Sequence, residues 1–188
     1  SELLLQSAAF VAAGNFFWMD GGADIVHQWV IRHSTGTAKS QFAPEAGKVH
    51  PFFNVLKAMS MNKAQRVKTD IVGGMDSKGI GVGGYGTVDQ TGAAALVWNY
   101  EGNESSTTVS FQNLPSNFGS GPIKYTVHLI DQTHSNIKYN SSRDTLEMTD
   151  NSTAPAATAF SKTLTLKKNS IALIPLTPSG GPDRKSVV

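Results

Sequence analysis

The sequence predicts a mainly β protein: an antiparallel β-sandwich of about nine strands preceded by an incomplete α/β segment. Two observations predict it. Residues 1–64 show helical spacing on either side of one short β-branched run, whereas from Gln65 onward the hydrophobic period drops to two. Short alternating segments then recur to about residue 178, separated by turns rich in Gly, Pro, Asn and Asp. The remaining residues, 179–188, read as a flexible tail (SGGPDRKSVV).

Residues 1–14 are expected to form a helix. Leu3, Leu4, Ala8 and Val11 fall at helical spacing, Glu2 suits the positive end of the helix dipole, and Gly14 is expected to end the element. After the apolar run Phe16–Met19 and a turn at Asp20-Gly21-Gly22, residues 23–31 read as a strand buried on both faces. A polar loop, 32–49, leads to a second helix that opens at His50-Pro51 and buries Phe52, Phe53, Leu56, Met59 and Ser60. Helix, buried strand, loop and helix make one unit of a layered α/β fold or barrel. A lone strand between two helices cannot satisfy its own hydrogen-bond ladder. The segment is therefore expected to close against other polypeptide, either a missing barrel portion or another copy of the chain.

The sandwich, 65–178, is expected to hold strands at 65–71, 80–88, 93–100, 107–111, 125–130, 135–139, 145–148, 160–166 and 170–176. The glycine-rich Gly81-Val-Gly-Gly-Tyr-Gly86 fits an edge strand or bulge better than a phosphate loop, because no helix follows it.

Composition narrows the function. Only 16% of residues are charged and the formal charge is +2, so there is no strong field for nucleic acid or an anionic membrane. No run is long and apolar enough to cross a bilayer. There are no cysteines, which removes disulfides and thiol chemistry. Three sequons, at Asn103, Asn140 and Asn151, favour a secreted or extracellular protein carrying N-glycans. Residues 1–14 lack the basic leading region of a signal peptide, so a signal is expected upstream. The five histidines form no H-x3-H pair. His128, His134 and Asp131 suit turn hydrogen bonding more than a metal site, and neither a metal nor a cofactor is expected. No G-x-S-x-G elbow occurs.

Several segments, taken in order, resemble a known family. They are Ala8-Ala-Phe-Val-Ala-Ala-Gly14, a strand ending near Trp29, His50-Pro-Phe-Phe-Asn-Val-Leu-Lys-Ala-Met59 and Ala94-Ala-Leu-Val-Trp-Asn-Tyr100. Leu129-Ile-Asp-Gln-Thr-His-Ser-Asn136 and Ser170-Ile-Ala-Leu-Ile-Pro-Leu176 follow. Together they resemble the C-terminal part of a clan A glycoside hydrolase, closest to family 39, the β-xylosidase and α-iduronidase-like enzymes. The resemblance implies that residues 1–64 are the last helix–strand–helix of a (β/α)8 barrel. It implies a retaining glycosidase with two carboxylates about 5–5.5 Å apart at the ends of two barrel strands. Both would lie outside this chain, leaving it no catalytic residue and no activity alone. Glu2, in a first helical turn, reads as a dipole partner rather than a nucleophile.

What remains is one wall of a sugar pocket. The resemblance implies that Trp29 stacks on a sugar ring beside His27, and that Arg32 and His33 meet hydroxyls or an acidic sugar. A barrel-core tryptophan and a solvated loop are the competing readings. Two other functions stay open. One is a self-sufficient lectin-like or structural sandwich with a sugar platform drawn from Tyr85, Tyr100, Phe111, Tyr125 and Tyr139. The other is a small enzyme built around Asp70, Asp76 and Asp89.

Overall fold

The computed structural model describes residues 2–24, 26, 42–43 and 47–179. The first element, α1 (Glu2–Asp20), is a single helix of 19 residues that runs straight through Gly14. The sequence placed its end at that glycine, and tertiary contact overrides it. Phe16, beyond Gly14, packs 5.4 Å from Trp98 and 6.2 Å from Tyr85, ring centre to ring centre. That contact offsets the roughly 1 kcal/mol a mid-helix glycine costs. The helix stops at Gly21 and Gly22, where Gly21 N–H donates to the Phe17 carbonyl at 2.9 Å and Gly22 adopts φ +92°.

Of the expected strand over 23–31, Ala23, Asp24 and Val26 are described and are not in a strand, Ala23 N–H instead bonding the Trp18 carbonyl at the end of α1; its other residues and most of the loop after it lie outside the described residues. The second helix, α2 (Pro51–Ser60), forms where expected, with proline at its start. Its buried face is turned slightly from expectation: Phe52, Asn54, Val55 and Ala58 point inward, while Ser60 is exposed.

Eight strands follow among the described residues: β1 (Gln65–Val67), β2 (Gly81–Asp89), β3 (Gly92–Tyr100), β4 (Ser105–Phe111), β5 (Ile123–Ile130), β6 (Glu147–Ala154), β7 (Phe160–Leu166) and β8 (Ser170–Pro178). All pairings are antiparallel. Six strands form one sheet in the order β1-β2-β3-β8-β5-β6, and β4 pairs with β7 in a second. The fold is thus mainly β, as the sequence predicts.

Three strand expectations fail, one of them at 145–148, where β6 begins only at Glu147 and runs on to Ala154. The alternating run from Gln65 leaves the sheet at Lys68, and Val72 is almost fully exposed. Residues 135–139 form turns rather than a strand, because polar side chains capture the backbone. Asp131 accepts from the N–H groups of Thr133 and His134, and Asn136 from that of Lys138.

The six-stranded sheet is the middle of three layers. One of its faces packs on the helices, joining Leu5, Ala9, Ala12, Phe52 and Val55 to Leu96, Trp98, Ile171 and Leu173. The other carries Ala93, Val97, Ala172 and Ile174 against the small sheet and Phe118. This explains why β3 is apolar without alternation: all but its last residue are buried, since both its faces are covered.

Candidate functional site

The residues expected to face sugar, Trp29, His27, Arg32 and His33, all lie outside the described residues. The three sequon asparagines are described and exposed. Asn103 follows β3, and its carbonyl accepts from the Nδ2 of Asn99 at 2.7 Å. Asn140 sits in a turn in which its Oδ1 accepts from both the N–H and the hydroxyl of Ser142. Asn151 lies on β6, at the border of the large sheet, paired in register with Thr126.

Four of the described carboxyls, Asp76, Asp89, Asp131 and Asp150, are held by hydrogen bonds that make them more acidic. Asp76 is lowered by hydrogen bonds from the N–H groups of Ile80 and Lys78, and Asp89 by the hydroxyl and N–H of Thr91. Asp70 pairs with Lys68. Asp76 and Asp89 thus close turns, whereas Asp70 is held only in this exposed pair. Asp150 is lowered by Lys162 and then by Ser152. For Asp131, burial raises the value, but the N–H groups of Thr133 and His134 and the His134 ring outweigh it and leave it low. Every resolved carboxyl shift is downward, the reverse of what a general acid needs. His134 stands 3.0 Å from Asp131, and the His128 ring 3.2 Å from the Thr126 hydroxyl. Among the described residues no group of three or more His, Asp or Glu could hold a metal. No described helix is long and apolar enough to cross a membrane.

Three concave surfaces stand out. A groove of about 460 Å³ between α1 and α2 is lined by Phe10, Trp18, Leu56 and Tyr100, with Gln6 and Asn15. It adjoins the helix face that carries Leu3, Phe10 and Phe17, all exposed, while Trp18 and Met19 are exposed further round the same helix. A second cleft, about 750 Å³, opens between the sheets over the small residues Gly84, Gly86 and Ala95.

The third is a polar pocket of about 390 Å³ built by distant segments. One wall is the β7–β8 turn, in which Asn169 adopts φ +57°. Its amide donates to Glu101 at 2.6 Å while its Oδ1 accepts from the Glu101 N–H. Beside it, the Lys168 ammonium lies 3.1 Å from Glu2 and 3.3 Å from Glu101. These carboxylates, Glu2 foremost, raise its pKa. The opposite wall holds Gln132, Thr133 and Tyr139. Arg143 stands 5.7 Å from the Tyr139 ring centre and is itself held by the Thr133 carbonyl and by Glu147. Of the five aromatics considered as a sugar platform, Tyr85 is only 5% exposed and Tyr139 is 59% exposed. Gln132, Lys168 and Asn169 carried no local signal in the sequence, since only the fold brings them near Tyr139.

No family model matches the chain, and no curated protein matches it. Solved structures do. A monomeric β-xylosidase from Caulobacter crescentus is 13% identical with a TM-score of 0.67, over 93% of this chain and 42% of that one. A glucosidase from Croceicoccus marinus is 16% identical with a TM-score of 0.62, over 93% and 42%. A GH39 enzyme from Xanthomonas axonopodis pv. citri is 15% identical with a TM-score of 0.57, over 74% and 32%. The chain thus spans between about a third and two fifths of the length of these structures. At such identities the likeness is one of fold, and the fold of this chain is that of a part of clan A-like glycoside hydrolases.

Proposed function

We propose that this chain is the C-terminal part of a secreted, retaining glycoside hydrolase of the family 39 type. Its catalytic carboxylates belong to barrel polypeptide outside this chain, and this chain alone is inactive. The observation that carries this reading is the extent of the likeness: the fold over 93% of the chain recurs within about two fifths of glycosidase structures. Two features support it. The apolar face of α1 and the groove beside it offer a seat for the barrel, the partner that the sequence calls for. The resolved carboxyl shifts are all downward, so none of these four groups is tuned as a general acid. In this reading residues 1–64 close the barrel and 65–178 form the sandwich. Trp29, His27, Arg32 and His33 contribute a wall of the sugar pocket, and the exposed Asn103, Asn140 and Asn151 carry N-glycans.

The test is the intact mass of the protein purified from its source, together with hydrolysis of p-nitrophenyl β-D-xyloside. The expected result is a mass well above 20.0 kDa with activity, and no turnover by the isolated 188-residue chain. A native protein of 20.0 kDa, or turnover by the chain alone, overturns the proposal.

A further inference from the structure

We infer that the polar pocket beside Tyr139 is a binding site for a neutral sugar. Sugar recognition by proteins joins two kinds of contact: a flat aromatic against the C–H face of the ring, and fixed polar groups for the hydroxyls. Both are present here. Tyr139 is 59% exposed, and its backbone and the arginine beside its ring are held in place. Its backbone N–H donates to the Asn136 carbonyl at 3.0 Å. Arg143 sits by the ring, pinned by the Thr133 carbonyl at 2.9 Å and by Glu147 at 2.8 Å. A platform held in place in the free protein loses little entropy on binding.

The facing polar groups are fixed as well. The Asn169 amide and Glu101 are locked in a reciprocal pair, and Lys168 bridges Glu2 and Glu101. The Gln132 side chain is exposed at the rim and supplies both a donor and an acceptor. The volume, about 390 Å³, lies within the roughly 300–1,000 Å³ of small-molecule sites.

Charge selects the class of sugar. Of the lining residues only Glu2 and Lys168 are charged, and they pair; Glu101, behind Lys168 and Asn169, adds one negative unit beside the pocket. Arg143 is already neutralised by Glu147. A uronate or sulfated sugar would meet net repulsion, whereas a neutral ring can use the same groups as hydrogen-bond partners. This inference does not depend on the barrel, so it can fail while the glycosidase reading stands, and the reverse.

The experiment is a titration of the full 15N-labelled chain with xylotriose and with cellotriose, digalacturonate serving as the anionic control. The expected result is saturable shifts of the Gln132 and Asn169 side-chain amides with at least one neutral probe. Digalacturonate should bind at least about tenfold more weakly. Tyr139→Ala should weaken binding about tenfold or more, and Tyr139→Phe, which keeps the platform, should retain it. Gln132→Ala at the exposed rim serves as the second variant should Tyr139→Ala unfold, and should also weaken binding. The inference is overturned if neither neutral probe shifts these amides, if binding is unchanged in Tyr139→Ala, or, where that variant unfolds, in Gln132→Ala. Binding of digalacturonate as tight as that of the neutral probes overturns it too.

Discussion

The indole of Trp98 in β3 lies over the backbone of Gly83, its register partner in β2: a Cβ built on Gly83 would come within 2.6–2.7 Å of three ring atoms. Trp98 is fully buried and carries Phe16 of α1 on its ring, so it cannot swing away. The glycine is what lets the largest side chain of the core lie under the helix. Gly83→Ala should therefore destabilise the protein by about 1–3 kcal/mol, seen as a lower midpoint in urea unfolding. An unchanged midpoint would show that the indole does not need this space.

Asn54 ties α2 to the loop that the sequence misread as a strand. Its buried Nδ2 donates to the Ser135 carbonyl at 3.1 Å and to the Asp144 carbonyl at 3.2 Å. Asn54→Ala strips two carbonyls of a partner and should cost about 1–3 kcal/mol. Amide hydrogen exchange should quicken around 131–147 more than in β3, and uniform quickening would argue against a local tie.

Stability should fall under mild acid through His128. Burial first, and then the positive charge of Lys57, depress its pKa below the ordinary 6.5. The unfolded chain therefore binds more protons than the folded one as pH drops below about 6.5. The stabilisation is complete above that value and is lost on the way down to the lower folded pKa. His128→Gln should flatten the melting temperature between about pH 5 and 7. Asp131, whose folded value is depressed below 3.8, should contribute a separate loss only at more acidic pH. A wild-type melting curve that is flat across the first window would contradict the assignment.

Arg66 joins the start of the sandwich to the end of α1. Its guanidinium lies 4.5 Å from the Phe16 ring centre and 5.8 Å from that of Tyr85, and it bonds Asp20 at 3.0 Å. The ion pair is exposed and worth little, so the ring contact should dominate. Arg66→Met is expected to cost about 0.5–1 kcal/mol at both low and high salt. A loss that disappears at high salt would assign the effect to Asp20 instead.

The exposed face of α1 should make the isolated chain associate. Leu3, Phe10, Phe17, Trp18 and Met19 are all open to solvent along one helix. Sedimentation velocity of the chain should show concentration-dependent self-association that a Phe10→Ser, Trp18→Gln double variant reduces. A chain that stays monomeric across the concentration range would remove this support for a missing partner.

Much of the fold was legible because its signals are local. Ala94–Tyr100 reads as a central strand from its unbroken apolar run, and Pro51 announces α2. The errors fall where distant residues decide. Gly14 reads as a stop, but Phe16 gains Trp98 and Tyr85 by continuing the helix. Residues 135–139 have strand-like content, yet Asp131 and Asn136 claim the backbone groups that a ladder needs. The polar pocket was illegible for the same reason: Glu2, Gln132, Tyr139 and Lys168 share no spacing and meet only after the layers are stacked.

The small sheet has a last consequence. Its outward positions are Ser106, Thr108 and Ser110 on β4, set against Thr165, Thr163 and Ser161 on β7. Two of these pairs already share a hydrogen bond at 2.9 Å. With hydroxyls alone on this side, its wetting does not titrate and has no counterions to shed. It should stay hydrated to the same degree in acid, in brine or in fresh water, conditions under which a charged face would change its character.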